Sequence, residues 1–121
     1  MADLRMGLIE TRFAELIWDR EPITTGELAA LSKAELGWSR STMYTVLRRL
    51  CDKGIFRMEG GSVRSLLDKE AYAAAQSEQL IDGSFGGSVP AFLTAFTRRR
   101  KLTEAEIKEL RALIDGLEEG K

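Results

Sequence analysis

The sequence predicts a mainly helical α+β fold carrying one small β-hairpin. Three observations lead there: a capped amphipathic helix between Ser39 and Gly54, two strand-like runs flanking Gly60-Gly61, and further capped helical segments before and after them. Taken in order, a first helix is expected from about Leu8 to Asp19. Thr24-Thr25-Gly26-Glu27 has the spacing of a capping box and opens a second helix, ending near Glu35, with Leu28, Leu31 and Ala30 as its buried side. A turn at Leu36-Gly37-Trp38 follows, Trp38 stapling the next helix start to the core.

In the third helix Ser39 is the N-cap, and Gly54 lies where helices most readily end. Met43, Val46, Leu47 and Leu50 recur at helical spacing and face a core. Arg40, Ser41, Tyr44, Thr45, Arg48 and Arg49 are left on the other faces. Ile55 to Glu59 and Ser62 to Leu67 then form a hairpin, because two adjacent glycines supply the positive φ values of a tight turn. Helix, helix, turn, basic helix and hairpin is the layout of a winged helix-turn-helix. Beyond it, helices are expected from Leu67 to about Ile81, from Val89 to Arg98, and from a capping box at Thr103-Glu106 to about Leu117. The expected division is a winged domain over residues 1–68 and a helical region over 69–121.

Composition narrows the chemistry. The chain has 121 residues, one cysteine and no histidine, so the usual general base, the commonest zinc ligand and the Ser-His-Asp arrangement are all missing. No enzyme activity, metal or cofactor is expected. Gly83-Ser84-Phe85-Gly86-Gly87-Ser88 follows a helix and reads as a helix-helix connection, and the Glu pairs near the C-terminus read as a solvated face. No apolar run approaches a membrane span or a signal peptide, which gives a cytoplasmic expectation. Net charge is −1, but from Ser39 to Arg64 six basic residues face only Asp52 and Glu59. That stretch carries +4 and the remainder −5, a focused basic stripe suited to site-specific DNA binding. Cys51, close to Arg48 and Arg49, is open to two readings: a packed structural thiol, or a reactive one activated by positive charge.

A family resemblance runs through the chain. It is carried by Leu16-Ile17-Trp18, Pro22-Ile23-Thr24, Gly37-Trp38-Ser39, Ser41-Thr42, Tyr44-Thr45, Arg49-Leu50 and Lys53-Gly54. It continues through Ala71-Tyr72, Phe85-Gly86-Gly87-Ser88, Phe96, Leu102-Thr103 and Glu106-Ile107 to Glu109-Leu110. These residues resemble the penicillinase-repressor family, of the BlaI/MecI/CopY type. The resemblance implies a bacterial dimeric repressor that binds an inverted-repeat operator through the winged helix and dimerises through its C-terminal helices. In antibiotic-responsive relatives a membrane-sensor protease cuts an Asn-Phe bond; the aligned pair here is Ala95-Phe96, which departs from that pattern. The paired cysteines of copper-responsive relatives are replaced by Leu117-Glu118-Glu119-Gly120-Lys121.

Residues early in a recognition helix enter the major groove first, so Arg40, Ser41, Tyr44 and Thr45 are candidates for reading base edges. Tyr44 has a second reading, its ring packed on the domain. Ser39, Thr42, Arg48, Arg49, Arg57 and Arg64 suit phosphates, with Thr42 and Arg49 at family-typical positions. The wing lacks the aromatic that usually follows in the family, which implies weaker contacts there. Phe85, Val89, Phe92, Leu93, Phe96, Ile107, Leu110, Leu113, Ile114 and Leu117, together with Leu102, exceed what one small helical unit can hide. Either they fold back on the winged domain or they form a two-fold dimer interface, and the paired half-sites of an operator favour the second. Arg98-Arg99-Arg100-Lys101 reads as a solvated linker, an extra phosphate contact or a processing site. A protein-interaction module on the same fold is the alternative reading; the scarcity of acid in the basic stripe counts against it.

Overall fold

In the computed structural model, which describes residues 3–120, the chain divides into two compact units, Met1–Leu80 and Ile81–Lys121. The first holds α1 (Leu8–Trp18), β1 (Ile23–Thr24), α2 (Thr25–Leu36), α3 (Arg40–Asp52), β2 (Phe56–Glu59), β3 (Ser62–Ser65) and most of α4 (Lys69–Ser84). The second holds the end of α4, then α5 (Val89–Arg99) and α6 (Glu104–Glu119). The mainly α fold with a small sheet is therefore present.

Local chemistry places the helix ends. Thr24 Oγ1 accepts from the Glu27 amide at 3.1 Å, Ser39 Oγ from Thr42 at 3.2 Å, and Thr103 Oγ1 from Glu106 at 3.0 Å. At Thr103 the box is complete, because the Glu106 carboxylate accepts from the Thr103 amide at 2.9 Å. Gly37 ends α2 at φ 68°, a left-handed conformation that a side chain would strain. Replacing Ser39 with alanine leaves the first-turn amides of α3 without that acceptor. Ser39→Ala is expected to cost about 1 kcal/mol in denaturant unfolding.

The sheet is three-stranded, in the order β1-β3-β2, and not the lone hairpin the sequence suggests. Ile23 and Thr24 pair antiparallel with Val63 and Ser62, so β3 is the middle strand. Gly60 and Gly61 turn the wing at φ 59° and 79°, and the backbone twist of two positive φ values matches the flanking strands. The Glu21 carboxylate accepts from both the amide and the hydroxyl of Ser65, at 3.0 and 2.8 Å, fixing the far end of β3.

One core lies beneath these elements. Phe13, Ala14 and Ile17 of α1 meet Leu28 of α2, Met43, Val46, Leu47 and Leu50 of α3, then Ile55, Phe56 and Val63. Trp38 packs its ring 5.1 Å from Phe13, the staple expected at the start of α3. Trp18 sits between Phe56 and Tyr72, 5.5 Å from each, and its indole N–H donates to the Leu67 carbonyl at 2.9 Å. The segment before α1 joins the same core. Leu4 is buried, the Tyr72 hydroxyl donates to its carbonyl at 2.6 Å, and its amide donates to Gln79 at 3.1 Å. The first turns of α4 thus belong to the winged unit. On α2 the expected buried Ala30 is exposed, and Ser32, one turn beyond Leu28, is buried instead.

In the second unit Phe85, Phe92 and Phe96 form a file of rings, with neighbouring centroids 5.5 and 5.8 Å apart. Arg100 lies over the Phe96 ring at 6.0 Å. Val89, Ile107, Leu113, Ile114 and Leu117 are exposed, Leu117 at 65 %.

Candidate nucleic-acid interface

The division of α3 follows its periodicity. Met43, Val46, Leu47 and Leu50 are buried, while Arg40, Ser41, Thr42, Thr45, Arg48 and Arg49 are exposed. Ser41, Thr45 and Arg48, spaced by four and three residues, form the ridge opposite the core, with Asp52 at its far end. The flank of Thr42, Arg49 and Lys53 turns toward α1 and the segment before it. There Arg49 Nη1 pairs with Glu10 Oε2 at 3.4 Å, and the Lys53 ammonium donates to the Arg5 carbonyl. The other flank carries Arg40 and Tyr44.

The hydroxyls of this face are partly engaged. Ser39 donates to the Thr42 hydroxyl at 3.1 Å while capping the helix, and Thr45 donates back to the Ser41 carbonyl at 3.0 Å. The Thr45 hydroxyl proton is thereby spent inside the helix. Tyr44 is half-buried with its ring against the core. Hydrogen bonding to Thr25 and to Arg40 holds its hydroxyl below the usual phenol range. The packed-ring reading of Tyr44 thus describes its body, and its polar end stays at the edge of the helix face.

On the wing, Arg57 and Arg64 stand directly opposite one another in register, both exposed. Like charges placed opposite across two strands repel, and here Glu59, two residues along from Arg57, pairs with it. The Arg57 guanidinium holds the Glu59 carboxyl below its ordinary range, and Arg64 adds to the effect. Cys51 corrects the activated-thiol reading. It is half-buried, and burial, helped by the charge of Asp52, pushes its pKa up, so the nearby arginines do not prevail.

Two partners in this face are missed by a reading of local pattern, Thr25 beside Tyr44 and Glu10 beside Arg49. Thr25 had no signal beyond its place at a helix start. Glu10 had one: with Phe13, Ala14 and Ile17 it continues the inward face of α1 at helical spacing, so an acid there calls for a partner. Among the described residues no helix is long and apolar enough to cross a membrane, and no three acidic, cysteine or histidine side chains gather as a metal site would need.

Three helices closed by a hairpin wing, with cations and hydroxyls on the solvent side of the third helix, define a winged helix-turn-helix of the DNA-binding class. A family model described as penicillinase repressor matches residues 6–116, nearly the whole chain, and the protein belongs to that family of DNA-binding transcriptional repressors. Comparison with curated proteins found no match.

Proposed function

We propose that the protein is a homodimeric repressor that holds an inverted-repeat operator through two copies of α3 and the wing. The observation that carries the reading is the clean split of α3 into a buried apolar face and an exposed face of arginines and hydroxyls, flanked by the Arg57-Arg64 pair. Arg40, Ser41, Tyr44 and Thr45 lie in the first half of α3 and read base edges. Since its hydroxyl proton is used within the helix, Thr45 offers its methyl group, suited to a thymine methyl. Ser39, Thr42, Arg48, Arg49, Arg57 and Arg64 bind phosphates and set the register on the duplex.

Functionally, residues 1–68 supply the DNA-binding domain and 69–121 the dimerising region, the first turns of α4 linking the two. Phe85, Val89, Phe92, Leu93, Phe96, Ile107, Leu110, Leu113, Ile114 and Leu117 form the interface between copies. Such a protein acts where the chromosome is, in the bacterial cytoplasm, and catalyses nothing. Ala95-Phe96 lies inside α5, with Ala95 half-buried, so a sensor protease would have to unwind that helix and accept alanine for asparagine. Release by cleavage at that bond is not part of the reading.

Gel shift and footprinting on the DNA upstream of the protein's own gene test the proposal. A protected palindrome is expected, with affinity falling by orders of magnitude between about 50 and 200 mM salt if six or more phosphates are held. Absence of any specific site, with salt-insensitive capture of a protein partner by the same face, would establish the interaction-module reading instead.

A further inference from the structure

We propose that Glu10, on α1, is a positioning residue for DNA binding: it holds the Arg49 side chain so that the remaining guanidinium donors face a phosphate. The proposal rests on the repressor reading above and adds a residue outside the helix and wing to its machinery. Glu10 is itself fixed. Its Oε1 accepts from the Gly7 amide at 3.2 Å, while its Oε2 takes Arg49 Nη1 at 3.4 Å. One carboxylate therefore ties the start of α1 to the second half of α3.

The geometry suits orientation better than burial. The Glu10 side chain is 21 % exposed and the Arg49 side chain 54 %, so the acid is largely enclosed while the base keeps most of its surface open. A guanidinium carries five N–H donors in a rigid fork, and this pair uses one nitrogen. An exposed ion pair of this length contributes little to stability. Its effect is to restrict a long side chain before DNA arrives, so that less rotamer freedom is lost on binding. Arg48, one residue earlier on the outward ridge, has no ion-pair partner among the described residues, so the acid serves the flank and not the ridge.

Two substitutions separate positioning from electrostatics. Glu10→Asp keeps the charge and shortens the reach, whereas Glu10→Gln removes the charge and leaves one acceptor oxygen where Gly7 and Arg49 each use one. Binding is measured on a duplex recovered by selection and on a mixed-sequence duplex, with thermal unfolding recorded for each variant. Glu10→Asp is expected to weaken both duplexes alike by about threefold to tenfold. Glu10→Gln, which loses one of the two acceptors, should also bind both duplexes more weakly than the unaltered protein, and Glu10→Asp should add nothing in an Arg49→Ala background. The role is overturned if Glu10→Asp binds as the unaltered protein does, if its loss persists undiminished without Arg49, or if Glu10→Gln binds well above the unaltered protein, the mark of simple charge repulsion. Failure of the unaltered protein to bind either duplex overturns the DNA reading itself, and this role with it.

Discussion

Replacing Phe96 with aspartate should turn a dimer into a monomer and cost operator affinity by about a hundredfold or more, the loss expected when two linked half-site contacts become independent. Phe96 is 37 % exposed at the end of the ring file that runs from Phe85 through Phe92, and it takes no part in the buried core of the winged unit. A carboxylate there places an unpaired charge where an apolar partner surface would close, an arrangement that costs several kcal/mol. The winged unit has its own core and should keep its fold, with helical content and its thermal transition retained. Leu113→Asp on α6 repeats the test on the other helix of the unit. Sedimentation equilibrium decides the matter: unchanged dimer mass for both variants rules out this surface as the interface.

The second large effect falls on stability. Phe13 is fully buried, its ring lies 5.1 Å from Trp38, and Trp38 precedes the cap of α3. Truncation to alanine removes a fully buried ring from the core, beside the turn that leads into α3, and leaves a cavity. The expected cost is about 3–5 kcal/mol, a large share of the roughly 5–15 kcal/mol that holds an ordinary domain together. Phe13→Ala should therefore unfold at a much lower denaturant concentration and temperature, losing DNA binding in proportion to its unfolded fraction. Arg48→Ala provides the contrast, since an exposed cation on α3 can be removed with little change in melting temperature while binding falls. A cost below about 1 kcal/mol for Phe13→Ala, read from denaturant unfolding, would show that the ring is replaceable and the core assignment mistaken.

How far the sequence could be read depends on the range of the forces involved. The faces of α3 were legible because each buried residue recurs at helical spacing and no other element was needed to rank them. The wing turn was legible because two adjacent glycines at positive φ leave few alternatives. The strand β1 was not, since two residues cannot display alternation and Ile23-Thr24 becomes a strand only by pairing with Val63 and Ser62 some forty residues away. Ser32 was missed for a related reason: α2 has no strong apolar stripe, so its inward line was settled by neighbours and not by its own pattern. The anchoring of Leu4 by Tyr72 and Gln79 is likewise a contact between distant segments. For Cys51 the sequence showed both competing forces without their strengths, and enclosure prevailed over nearby charge.

The order β1-β3-β2 has a mechanical consequence. Because the middle strand of the sheet is the second strand of the wing, and the Thr25 amide at the start of α2 donates to the Gly61 carbonyl at 2.9 Å, the wing cannot swing away without breaking its pairing with β1 and that bond. If α3 and the wing hold DNA as proposed, they form the jaws of a caliper with a set opening. A duplex gripped between such jaws would have to fit that opening or bend to it, and a stiff stretch of bases resists bending more than a supple one. On the proposed reading, a gauge of this kind would reject poorly shaped DNA at base pairs that no side chain touches.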